Sequence, residues 1–129
     1  MMLGIDFESS TPIYLQLREQ IVKGIATKRL APGDSLPSVR QLASDLGINL
    51  HTVNKAYAML KQEGFITLHR QKGAVINSPD SFKTSDEYLK QLCDDLEPMI
   101  FEALLRGINE QEFSIVCSDI FKKIGGEKS

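Results

Sequence analysis

Residues 38–64 read SVRQLASDLGINLHTVNKAYAMLKQEG, and this stretch decides the fold. Ser38, followed three residues later by Gln41, forms a capping box: the serine oxygen accepts a free backbone N–H and the glutamine reaches back. Leu42, Ala43 and Leu46 then supply an apolar helix face, and Gly47 is suited to end the helix in a left-handed conformation. Asn49 is a good cap for a second helix, whose Leu50, Val53, Tyr57 and Leu60 recur at spacings of three, four and three. Gly64 closes it. Ala43, Gly47 and Val53 stand where a helix-turn-helix needs a small residue at the crossing, a permissive residue in the turn and an apolar lock.

Working outward, Thr11-Pro12 is expected to open a preceding helix, with Thr as cap and Pro at the first position. Tyr14, Leu17, Ile21 and Ile25 form its apolar face, which should fade near Lys28 ahead of the breaker Ala31-Pro32-Gly33-Asp34. Leu36-Pro37 is an extended step, since the residue before proline is pushed out of the helical region. Downstream, Phe65–His69 and Ala74–Ile76 read as two short strands around the basic turn Arg70-Gln71-Lys72-Gly73. Such a hairpin is marginal alone and must lean on the helices. Residues 1–77 are therefore expected to be a winged helix-turn-helix.

Residues 78–83 read as a linker, and 84–129 as a helical segment. Thr84-Ser85-Asp86-Glu87 is a second capping box, opening a helix striped with Leu89, Leu92, Leu96, Met99 and Ala103. Pro98 should kink or split that helix, and Gly107 should end it. Asn109 to Glu112 caps a last helix with Phe113, Val116, Cys117, Ile120, Phe121 and Ile124 on its apolar side, stopped by Gly125-Gly126. The fold class is mainly α with a small β-hairpin.

Composition narrows the function. The 129 residues suit one ordinary domain or two very small ones, and a net charge of −2 alone argues against a nucleic-acid partner. The average hides a split: residues 1–77 carry nine basic and six acidic side chains (+3), residues 78–129 six and eleven (−5). The first part could approach a polyanion; the second could not. The N-terminus lacks the pattern of a signal peptide, no run approaches the length of a membrane span, and a cytoplasmic location is expected. Cys93 and Cys117 read as small buried hydrophobes rather than a disulfide. There is no phosphate-cradling glycine loop or Cys-x-x-Cys, and His51 and His69 are the only histidines. No enzyme, metal site or cofactor is expected.

Pro12-Ile13-Tyr14 through Ile76, with PGDSLPSVRQLASDLGINLHTVNKAYAMLKQEGFI at its centre, resembles the DNA-binding domain of the GntR family of bacterial transcription regulators. Residues 49–57 and the short two-helix tail resemble the YtrA-type subfamily in particular. The resemblance implies a homodimeric repressor, often of transporter operons, and a DNA contact from Arg40; the bland alternative for Arg40 is an ion pair within the domain. From the residues themselves, Asn49, His51, Thr52 and Asn54 occupy the helix end that enters the major groove. Asparagine can bind adenine with both ends of its amide, and threonine can touch phosphate or a thymine methyl. Leu50 is either such a methyl contact or a core residue. Lys55 is expected on phosphates, as are Arg70 and Lys72 at the wing tip beside Gly73, within reach of the minor groove.

Two departures stand out. Positions 50 and 54 carry Leu and Asn where this family commonly has arginine, and Gln71 replaces the usual first wing glycine. Weaker phosphate anchoring by the helix, with more weight on the wing, is the expected result. Two tail helices cannot enclose both their apolar stripes, so Leu89, Leu92, Leu96, Met99, Ala103, Phe113, Val116 and Ile120 are expected to pair with a second copy. The alternative is a tail packed on its own winged helix. A small-molecule effector could sit beside the tail or at a dimer seam, but no residue set announces one. The rival function is a winged helix that binds protein rather than double-stranded operator DNA.

Overall fold

The computed structural model of the chain describes residues 3–127, in two units divided after Phe82. In the first, helix α1 spans Ile13–Ala26, α2 Val39–Leu46 and α3 Leu50–Gln62, followed by strands β1 (Ile66–His69) and β2 (Gly73–Ile76). The second holds α4 (Asp86–Leu105) and α5 (Glu110–Glu127). Among the described residues, no helix is long and apolar enough to cross a membrane.

The helix-turn-helix forms as its residues dictate. Ser38 Oγ accepts from the Gln41 N–H at 3.1 Å, capping α2. The reciprocal half of the expected box does not form, because the Gln41 side chain donates to Asp45 one turn on, at 2.7 Å. Gly47 takes φ 66°, ψ 36°, and the Ile48 N–H closes back on the Ala43 carbonyl, so α2 stops abruptly and Asn49 can cap α3 two residues later. Ala43 is buried where the helices cross, and Val53, Ala56, Tyr57 and Leu60 line the inner face of α3. They meet Leu17 and Ile21 of α1 in one core with Leu36, Leu42, Ile66, Ala74 and Ile76.

The strands pair antiparallel, with Ile66 opposite Ile76 and His69 opposite Gly73. The extended step before α2 adds a third rung: the Leu36 N–H reaches the Ala74 carbonyl at 2.7 Å, the Ile76 N–H reaches the Asp34 carbonyl, and Ser35 bridges Val75. The wing is therefore pinned on both sides, by α3 before it and by residues 33–36 beside it.

Several local expectations change. Thr11 does not cap α1; Pro12 is the cap residue, with no side-chain cap bond, and the Thr11 carbonyl accepts instead from Gln16. Ser85, not Thr84, caps α4, accepting from the Tyr88 N–H. Helix α4 runs unbroken through Pro98, an exposed residue, so the backbone carbonyl that loses its donor can turn to water. Helix α5 continues through Gly125-Gly126 to Glu127: glycine ends a helix when it turns left-handed, and Gly125, unlike Gly47, does not. Part of the expected linker, Pro79–Phe82, is a short 3-10 turn whose Phe82 ring packs on Phe65 at 5.1 Å between centroids. Cys93 is exposed and Cys117 half-buried, both as free thiols, so the expected burial of Cys93 does not hold.

Ahead of α1, the N-terminal segment is strapped by two glutamines one helical turn apart. The Gln16 amide accepts from the Asp6 N–H at 2.9 Å and donates to the Asp6 carbonyl at 3.0 Å. Gln20 repeats the two-way pairing with Gly4.

Candidate nucleic-acid interface

The Asn49 cap decides what α3 presents. Its Oδ1 accepts from the His51 N–H at 2.7 Å, which starts the helix and leaves His51, Asn54 and Lys55 on the exposed side of the first two turns. Because that oxygen is engaged, Asn49 is less suited than the exposed Asn54 to grip an adenine with both ends of its amide. Thr52 is half-buried. Leu50 is half-buried too and packs against the core, so much of its side chain serves that core.

Arg40 lies at the second position of α2, exposed, and among the described residues no carboxylate pairs with it. The basic turn of the wing is fully open: Arg70, Gln71 and Lys72 bridge the strands, and Gly73 takes φ 72°, which a side chain would oppose. Between α2, α3 and β1 runs an open groove of about 620 Å³ whose lining includes Val39, Asn54, Ala58, Lys61 and Leu68. The sequence reading missed Lys61, although it lies seven residues after Asn54, two turns along the same helix side.

Two interactions brace this surface. Tyr57, at the inner side of α3, donates its hydroxyl to the Pro37 carbonyl at 2.7 Å, tying α3 to the entry of α2. Burial pushes the Tyr57 phenol up from 10.0 to about 12. Lys55 places its Nζ 3.9 Å from the centroid of the Tyr14 ring on α1. Sequence periodicity placed Tyr14 in the core and Lys55 on the surface, and so could not show them meeting.

The second unit is short of a core. Of the eight residues expected to pair, Leu89, Leu92, Met99, Val116 and Ile120 are exposed, and Leu96 and Phe113 half-buried. Ala103 differs: it is 9% exposed, covered within its own unit, where it lines a cleft with Ile100, Ile108 and Phe113. Reading a single stripe missed Tyr88, Phe101, Leu104, Leu105 and Ile115, all exposed, Leu105 by 89%; Phe121, expected on the apolar side of the last helix, is 76% exposed.

Residues 13–76 match the family model for bacterial regulatory proteins of the gntR family. Over 127 residues, 98% of each chain, 32% are identical to the HTH-type transcriptional repressor YtrA of Bacillus subtilis. The chain belongs to the GntR family. Its YtrA-type character extends to solved structures: YtrA from Sulfolobus acidocaldarius, a GntR-family transcription factor, is 38% identical with a TM-score of 0.57, over 95% of this chain and 99% of that one. A transcriptional antiterminator from Listeria monocytogenes EGD-e superposes with a TM-score of 0.87 at 27% identity, covering 96% and 92% of the two chains. The GntR match spans the helix-turn-helix and the wing, and the likeness to Bacillus YtrA covers α4 and α5 as well. GntR-family proteins of this kind are transcription regulators rather than enzymes.

Proposed function

We propose that the chain is a cytoplasmic transcriptional repressor that binds a two-fold-symmetric operator as a homodimer. The observation that carries this reading is the outer surface of the winged helix. His51, Asn54 and Lys55 on α3, Arg40 on α2 and the Arg70–Gly73 turn are all exposed, on elements braced by one shared core. In this reading α3 enters the major groove, Asn54 reads a base, and Arg40, Lys55, Arg70 and Lys72 meet phosphates, the wing tip reaching the minor groove. The exposed apolar residues of α4 and α5 support pairing with a second copy, because a monomer rarely leaves so many large side chains in water. Two copies would present their α3 helices about 34 Å apart, one turn of DNA.

Selection of bound fragments from random genomic DNA tests the proposal. Enriched sequences with two-fold symmetry and half-sites about ten base pairs apart are expected. Enrichment without symmetry would refute the dimeric operator, and no enrichment at low salt would refute DNA binding in favour of a protein-binding winged helix.

A further inference from the structure

We propose that Tyr14, on α1, is a positioning residue for DNA binding: its ring holds the Lys55 ammonium beside the base-reading turns of α3, ordering a phosphate contact before DNA arrives. This rests on the DNA-binding reading above. Lys55 is exposed, its Nζ lies 3.9 Å from the Tyr14 ring centroid, and among the described residues no carboxylate pairs with it. Tyr14 is half-buried and packed against the core, so the ring is a fixed platform. A cation over an aromatic face is attracted by the negative charge of that face. The ring covers one side of the ammonium, and the remaining N–H donors stay open to an anion.

A lysine free on a helix samples many rotamers, and freezing it on a phosphate costs affinity. The ring removes part of that cost. It also fixes where the charge sits: over the α1 ring, on a side chain that leaves α3 next in sequence to Asn54 and one helical turn beyond His51, both exposed. Tyr14 thus acts on DNA through Lys55, from a helix outside the helix-turn-helix.

The test is a double-mutant cycle on the full chain, with binding to a random-sequence 30-base-pair duplex at low salt read by fluorescence anisotropy. Tyr14→Leu is expected to weaken binding about two- to fivefold. Tyr14→Phe, which keeps the ring, should bind like the parent. In a Lys55→Gln background the effect of Tyr14→Leu should vanish. Should Tyr14→Phe lose as much as Tyr14→Leu, the hydroxyl and not the ring matters and the proposal is overturned; a Tyr14→Leu loss that persists undiminished without Lys55 overturns it as well. Because Tyr14→Leu touches the core, a second readout needs only the unmodified chain and Tyr14→Phe. The Lys55 ε-methylene protons should be shifted upfield by the ring current in both, and ordinary lysine shifts would overturn the proposal. A parent that ignores the duplex would instead refute the DNA reading, a result that this shift does not depend on.

Discussion

Replacing Tyr57 by phenylalanine should change the stability of the first unit by an amount that reverses sign with pH. The hydroxyl is buried and donates to the Pro37 carbonyl at 2.7 Å, and its removal leaves that carbonyl without its donor. Because Pro37 is half-exposed and can recruit water, the loss falls at the low end of such costs, about 1 kcal/mol at pH 7. Burial raises the folded-state value from 10.0 to about 12, so the stability contributed by the neutral phenol is fully present below pH 10.0 and is lost as pH climbs towards 12. Each unit of that window is worth about 1.4 kcal/mol, so the parent should lose about this much between neutral pH and pH 11 and roughly twice it by the top. The phenylalanine chain has no phenol at this position and escapes that loss. The two should therefore be equally stable near pH 11, with the variant the more stable above it. Urea unfolding of both chains from pH 7 to 11.5, followed by helical circular dichroism, measures the difference, and other titrating groups cancel between them. A difference that stays constant across this range would refute the raised phenol and the burial behind it, and no difference at pH 7 would refute the bond.

Other substitutions probe the turn, the groove, the wing and the boundary. Gly47→Ala forces a side chain onto φ 66° and should destabilise the first unit by about 1–2 kcal/mol in urea unfolding. Asn54→Ala should cost about 1–3 kcal/mol on the selected operator and little on random duplex, and equal losses on both would remove it from base reading. Lys72→Ala should weaken binding to all sequences alike and flatten the salt dependence by about one phosphate; an unchanged slope counts against the wing contact. A chain ending at Phe82 should sediment as a folded monomer, while one ending at Asn77 should unfold at lower urea because it lacks the Phe82 ring on Phe65. Dimers of the shorter chains would refute pairing through α4 and α5.

Local chemistry made the helix-turn-helix legible. Ser38, Gly47 and Asn49 act on their immediate neighbours, so residue type and spacing suffice to place α2 and α3. The wing hairpin followed for the same reason, its two arms being separated by a short polar turn. What stayed hidden depends on distant partners. The pairing of residues 33–36 with β2 joins segments some forty residues apart, and no period announces it. The Lys55–Tyr14 contact joins a surface residue of α3 to a core-facing residue of α1 in the same way. Gly107 ends α4 as its left-handed φ of 83° predicts. The break expected at Pro98 and the stop expected at Gly125 came from rules applied without context: Pro98 is tolerated where its neighbours are wet, and Gly125 does not turn left-handed. In the second unit, Ala103 was assigned to a partner because small apolar residues carry no sign of whether they face their own hairpin or another chain.

The paired bonds from Gln16 and Gln20 make the N-terminal segment dependent on one kind of functional group. A carboxamide presents a donor and an acceptor side by side, as the edge of a neighbouring strand would, and so matches the N–H and C=O of Asp6 and Gly4 at once. Hydrolysis of the Gln16 amide to a carboxylate would exchange its NH2 for a charged oxygen facing the carbonyls of Asp6 and Thr11. Attraction would become repulsion at both. The hold on residues 4–11 therefore rests on two uncharged amides, and a single Gln16→Glu change would loosen it with almost no change of size.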